Sequence, residues 1–171
     1  MENNNYEFIL TRRSIRKYTP ESISEKDIEL LLKAASYAPS ANNYQPWHFI
    51  VITEREILDK LSVVHPYAKM LKHAPLAILI CGDSNIQEIL GYQAVDCSAA
   101  TENLLLAAHA IGLGGVWLGV YPREQRMKDI KELFSLPENI NPMTLVSIGH
   151  PAETRPFPER FNKEKIHYNS W

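Results

Sequence analysis

Between roughly Ile86 and Ile111 the chain carries one long helical pattern. Its apolar residues, Ile89, Leu90, Val95, Cys97, Ala99, Ala100, Leu104, Leu105, Ala107, Ala108 and Ile111, are spread around most of the circumference. A helix apolar nearly all round must be buried on nearly all sides. With 171 residues the chain fits one domain with a real core. In so small a chain a sheet covers one face of that helix, and a second subunit is the natural cover for another. A central helix wrapped by its own chain is the alternative.

The rest of the chain supplies the sheet. Phe49 to Thr53, Leu76 to Cys81, Val116 to Tyr121 and Thr144 to Ile148 are short β-branched or aliphatic runs that predict four strands. Ser24, with Asp27 three residues on, opens a second helix in which Ile28, Leu31, Leu32 and Ala35 recur at helical spacing until Pro39 ends it. After Gly149, His150 and Pro151 the composition changes to prolines and charges, and the chain closes on Ile166, Tyr168 and Trp171. Proline at that density blocks helix and keeps backbone extended. A tail ending in three large apolar residues is expected to dock, with a neighbour as one surface for it, and an ordinary frayed terminus is the competing reading.

Composition removes several classes of function. Eighteen Lys and Arg against twenty Asp and Glu leave no field to hold nucleic acid or an anionic membrane. No apolar run approaches the ~20 residues of a membrane span. The N-terminus lacks the apolar stretch of a secretion signal, so the expected location is cytoplasmic. Cys81 and Cys97 form no CxxC pair and read as small buried hydrophobes. The six histidines are scattered without metal-ligand spacing, so no metal site is expected. Gly112 to Trp117 begins like a dinucleotide fingerprint. Trp117, however, stands where the third glycine belongs, and the segment precedes a strand instead of following one. Ser14 and Lys17 have SxxK spacing, without the partner motifs that would make a serine hydrolase.

Anion and amide binders remain. Arg12, Arg13 and Arg16, with the Ser14 hydroxyl, can hold a dianionic phosphate through charge-assisted, sometimes bidentate hydrogen bonds. Taken alone, this cluster reads equally well as the solvated face of a first helix. Ser40, Asn43 and Gln45 offer the mixed donors and acceptors that read a planar heterocycle, on a loop stiffened by Pro39, Pro46 and Trp47. Gly112, Gly114, Gly115 and Gly119 let backbone approach a flat ring. Phosphate clamp, polar loop and glycine turn together suggest flavin mononucleotide (FMN).

In order along the chain, Arg12 to Arg16, Pro39 to Trp47, Gly112 to Gly119 and the Gly149, His150, Pro151 corner ahead of Arg160 resemble the nitroreductase family. The resemblance runs from about Tyr6 to Trp171. It implies an α+β fold with a central mixed or antiparallel sheet flanked by helices, in a single FMN-binding domain spanning 1–171. It further implies a homodimer with a long buried interface helix, FMN between subunits, and a C-terminal extension, 150–171, that crosses to the partner. Carried over by position, Arg12, Arg13, Ser14 and Arg16 resemble the phosphate and ribityl clamp, completed by Arg160. Ser40 and Asn43 match a loop contributed by the other subunit, with Gln45 in the same motif, and the Asn42, Asn43 doublet leaves the amide contact ambiguous by one position. Trp117, Leu118 and Gly119 match the segment whose backbone passes the ring.

The implied activity is reduction of flavin by NADH or NADPH, then reduction of a nitroaromatic, quinone or similar small-molecule acceptor, in a ping-pong cycle. The cofactor supplies the hard chemistry, so no catalytic acid or base is assigned. The chain is short for the family and lacks the insertion that shapes a substrate lid in larger members. The competing expectations are an FMN enzyme with other chemistry, such as dehalogenation or azoline oxidation, and a non-enzymatic module for phosphate ligands.

Overall fold

A computed structural model describes residues 6–171. Its centre is a four-stranded sheet of β1 (Trp47–Ile52), β2 (Leu76–Asp83), β3 (Gly114–Gly119) and β4 (Ile140–Gly149), in the spatial order β1-β2-β4-β3. Every neighbouring pair is antiparallel. β2 and β4 are the inner strands, which is why Leu76 to Cys81 is an unbroken apolar run: both of its faces are covered.

Alternation along the strands divides the core in two. Ala77, Leu79 and Cys81 pack with Val116, Leu118 and Leu145 beneath α3 (Arg55–Val64) and α5 (Glu124–Phe134), which contribute Leu58, Leu61 and Ile130. Leu76, Ile78 and Ile80 pack with Val146 and Ile148 beneath α2 (Glu25–Ser36) and α4 (Leu90–Ala110), which contribute Leu31, Ala35, Cys97, Ala100 and Leu104. At the start of α2 the Ser24 Oγ accepts from the Asp27 N–H at 3.1 Å, as the spacing predicts.

The sequence places Pro142 inside an inner strand, where a missing N–H would break the ladder. The structure accommodates it at a bulge. Ile80 pairs with Thr144 but Cys81 pairs with Pro142, so β4 holds one extra residue, Met143. The Met143 carbonyl accepts from both Val120 and Tyr121, which is why β3 ends at Gly119 and not at Tyr121.

α4 begins four residues later than the apolar pattern suggests. Asp83 claims the preceding turn: its carboxylate accepts from the Asn85 N–H and from Asn139 Nδ2, each at 2.8 Å, and its carbonyl accepts from Gln87. One side of α4 lies on the sheet, with Thr101 hydrogen-bonded to Thr144 at 2.6 Å. Tyr92 and Val95, with Ile89 just before the helix, remain exposed. Residues beyond Gly149 contain one 3-10 turn, Lys163–Lys165, and leave Phe157, Phe161, Tyr168 and Trp171 largely in solvent.

Candidate functional site

The basic run does not lie on a helix. α1 (Glu7–Thr11) stops at Arg12, and the chain then runs extended beside the first residues of β3. Ser14 forms a parallel bridge with Gly115, and the Ile15 N–H donates to the Gly115 carbonyl at 3.0 Å. Buried Tyr18 anchors the run below, its hydroxyl donating to the Ile15 carbonyl at 2.7 Å. Burial pushes the Tyr18 phenol up to about 12, so it stays a donor. Ile15 is buried in this run, whereas Arg16 is exposed.

Arg12 and Arg13 meet Arg160 in one cavity of about 300 Å³, with Phe157 and Phe161 in its wall. The two N-terminal guanidiniums differ in freedom. Arg12 pairs with Glu102 of α4 at 3.1 Å. Arg13 donates to the carbonyls of Leu10, Arg12 and Pro156 and lies 4.8 Å from the Phe157 ring centre, tying the C-terminal tail to α1. Both also line a second cavity of about 330 Å³ with His109, Gly112 and Arg155.

Arg16 lines a separate cavity of about 560 Å³ with Trp117, Leu118 and Gly119. Its other walls are His65, Pro66, Tyr67, Lys69, Met70 and Val116, and no carboxylate is among them. Sequence reading missed His65, Tyr67 and Lys69 because nothing in the spacing of His-Pro-Tyr links it to a glycine some fifty residues on. α3 brings them together by ending at His65, whose Nε2 lies 3.0 Å from the Gly119 carbonyl.

The four glycines have different roles. Gly112 sits at φ 80°, a turn conformation that favours glycine. A Cβ on Gly114 would stand 2.8 Å from the Ile15 Cβ, so this glycine admits the basic run and not a ligand. Gly115 is closed by Leu105 and the Ser147 carbonyl. Around Gly119 nothing lies within 4 Å of a Cβ, and it alone of the four presents open backbone to the large cavity.

The amide loop stands apart from the arginines. Asn42, Asn43 and Gln45 take positive φ, a conformation asparagine tolerates better than most residues. The Ser40 Oγ accepts from the Gln45 N–H at 2.9 Å, and the Asn43 Oδ1 accepts from the Gln45 side chain at 3.2 Å. Buried Asp96 on α4 fixes the loop by accepting from the Ala41 N–H at 2.9 Å. His109, bonded to Thr11 at 2.9 Å, marks the other end of α4. Arg12 meets α4 nearer the loop, at Glu102, six residues or about 9 Å along the helix from Asp96. Within one protomer, loop and basic run line separate cavities, Asn42 beside Ile89 and Tyr92, and Arg12, Arg13 and Arg16 in the three described above.

Burial pushes both cysteine thiols up, Cys81 to about 12, which makes them poor nucleophiles. Among the described residues no group of His, Cys, Asp and Glu could hold a metal ion, and no helix is long and apolar enough to cross a membrane.

Four groups tie folding to pH with one sign. Burial lowers the His65 and His109 imidazoles below their ordinary 6.5, and Arg12 and Arg13 lower His109 further. Asp83 falls below 3.8 chiefly through the hydrogen bond from Asn139, and Glu153 below 4.5 chiefly through the Arg16 N–H. Each binds fewer protons folded than unfolded, so its stabilisation is complete above its ordinary value and is lost as pH falls. The urea midpoint is expected to hold from pH 8 to 7, to decline below about 6.5 with the histidines, and to fall again below about 4.5 with the carboxylates. A midpoint that rises on acidification would contradict these contacts.

Comparisons with known proteins agree with this architecture. The model of the nitroreductase family matches residues 9–65 and 62–150. An Archaeoglobus fulgidus protein, provisionally named NADH dehydrogenase/NAD(P)H nitroreductase, is 51% identical over 95% of this chain and 96% of its own length. A crystal structure under the same provisional name from Parabacteroides distasonis superposes with a TM-score of 0.95 at 38% identity, covering 99% of this chain and 100% of that one. An FMN-dependent nitroreductase from Clostridium difficile gives a TM-score of 0.89 at 32% identity over 96% of this chain and 98% of that one. Fold, matched residues and identity together place this chain in the nitroreductase family.

Proposed function

We propose that this chain is an FMN-dependent NAD(P)H oxidoreductase that reduces a nitroaromatic, quinone or similar small acceptor. The observation that carries the reading is the extended basic run beside β3. From Arg12 to Arg16, four residues at ~3.3 Å each separate a cluster of guanidiniums from an open cavity by about 13 Å. A ligand with a phosphate at one end and a flat ring at the other fits that spacing. Arg12, Arg13 and Arg160 hold the phosphate, and the Ser14 hydroxyl lies between them and the ring. Arg16 and the Trp117, Leu118, Gly119 backbone take the ring, and the bare Cα of Gly119 supports close approach.

Bound FMN supplies the two-electron chemistry, accepting hydride from NADH or NADPH and passing the electrons on. The protein supplies position and charge. Arg16 and Lys69, with no carboxylate among the lining residues, stabilise negative charge placed in the cavity. No side chain is assigned as a catalytic acid or base.

Ser40, Asn43 and Gln45 act across a homodimer in this reading. Two copies of α4 packed in opposite directions set the loop end of one against the arginine end of the other. The exposed Ile89, Tyr92 and Val95, together with the apolar tail, support that packing. Residues 1–171 then form one domain, with 150–171 as an extension that closes on the partner. The free thiols of Cys81 and Cys97 support a cytoplasmic location.

An absorbance spectrum of the purified protein, before and after addition of FMN, followed by anaerobic mixing with NADH and with NADPH, tests this. A bound flavin bleached by either nucleotide is expected. A flavin that binds and is bleached by neither would mean a flavoprotein with different chemistry. Protein that stays colourless with FMN added would mean a phosphate-ligand module.

A further inference from the structure

We propose that His65 is a positioning residue, a neutral imidazole clamp that joins two walls of the ring cavity by holding the Gly119 carbonyl on one side and the Tyr67 amide on the other. The inference rests on the reading of that cavity as the flavin site.

Both ring nitrogens are engaged. The Tyr67 N–H donates to Nδ1 at 3.2 Å, so Nδ1 carries no proton. Nε2 therefore carries it and donates to the Gly119 carbonyl at 3.0 Å. Arg126 of α5 donates to the same carbonyl, and its guanidinium lies 5.8 Å from the Tyr67 ring centre. The N–H of the same peptide unit, that of Val120, donates to Met143. Every polar group of that peptide is thus fixed, and Gly119 lines the cavity with nothing within 4 Å of a Cβ built on it. His65 is almost fully buried at the end of α3, its own N–H bonded to Leu61. The clamp ties the ends of α3 and β3 to α5, and none of its members belongs to the arginine run.

The surroundings favour the uncharged ring. Among the described residues the charged groups around it are Arg126 from α5, Arg16 from the extended run and Lys69 from the 3-10 turn after α3, and none of those lining the cavity is a carboxylate that could hold an imidazolium. Burial and Arg126 both lower its affinity for a proton. A second proton must enter at Nδ1, where it meets the Tyr67 N–H, two donors face to face. The Pro66 to Met70 wall then loses its tie to β3.

The test is the dissociation constant of FMN, followed by flavin fluorescence from pH 8 to 5 with wild type, His65→Gln and His65→Leu. The phosphate of FMN titrates near pH 6, so the difference between profiles carries the result. His65→Gln, whose amide can accept from Tyr67 and donate to Gly119, is expected to bind at pH 7.5 within about 2-fold of wild type, and His65→Leu to bind roughly 3- to 10-fold more weakly. Wild type is expected to lose several-fold more affinity on acidification than His65→Gln. Superimposable profiles, or His65→Leu binding like wild type, would overturn the clamp. Hydrogen exchange at the Tyr67 amide gives a reading without flavin. Protection in wild type and His65→Gln that is lost in His65→Leu supports the clamp even if FMN binds at no pH, in which case only the flavin reading fails. Equal exchange in all three overturns the clamp itself.

Discussion

Gly119→Ala is expected to fold as well as wild type and to bind FMN roughly 10- to 100-fold more weakly. The added methyl meets no protein atom within 4 Å, so the flavin-free protein has nothing to resist it. Any resistance comes from a ligand that lies against the Cα. Forcing one methyl into a close-packed contact costs about 1–3 kcal/mol, which sets the size of the loss. The same substitution at Gly114 or Gly149 would be uninformative, because Ile15 or Tyr18 stands under 3 Å from the new carbon and the fold itself suffers. Thermal unfolding of flavin-free wild type and Gly119→Ala, set beside FMN titrations of both, separates the two effects, and a Gly119→Val variant should extend the loss. Equal unfolding temperatures with equal FMN affinity would place the ring elsewhere than over β3.

The elements legible in the sequence were those with one dominant local signal. α2 announces itself through Ser24, Asp27 and the Ile28, Leu31, Leu32, Ala35 spacing, and β2 through an apolar run that both sheet faces require. α3 and α5 were not singled out: each sets one buried stripe among charges, and only contact with the sheet decides it. The basic residues were legible as an anion cluster but not as an extended run, because their conformation comes from the bridge between Ser14 and Gly115 about a hundred residues away. Glycine chemistry was legible only in kind. Which of Gly112, Gly114, Gly115 and Gly119 leaves room for a ligand depends on the positions of Ile15, Leu105 and Ser147. Arg12 and Arg13 line a cavity with Arg160, whereas Arg16, which the resemblance assigned to the same clamp, lines a separate one with Trp117 to Gly119. His65, Lys69 and Arg126 join them through packing that no local pattern encodes.

Val95→Asp is expected to convert the protein from dimer to monomer and to remove flavin binding in the same step. In the single protomer Val95 is 64% exposed on α4, where a surface substitution changes stability by about 0.5 kcal/mol or less. In a two-fold dimer built on α4 the same change appears on both sides of one interface, and a desolvated, unpaired carboxylate costs several kcal/mol. Size-exclusion chromatography should therefore move from a dimer toward the 19.6 kDa chain, with circular dichroism unchanged. The flavin depends on this in the proposed dimer, where Ser40 and Asn43 of one copy complete the phosphate clamp of the other. Linkage makes the converse hold as well: FMN that binds only the dimer should raise the wild-type dimer's resistance to dilution as its concentration rises above the dissociation constant. A monomeric Val95→Asp that binds FMN as tightly as wild type would show that one protomer holds the whole site. A variant that stays dimeric would move the interface from the exposed side of α4 to another surface, with the apolar tail beyond Pro156 as the next candidate.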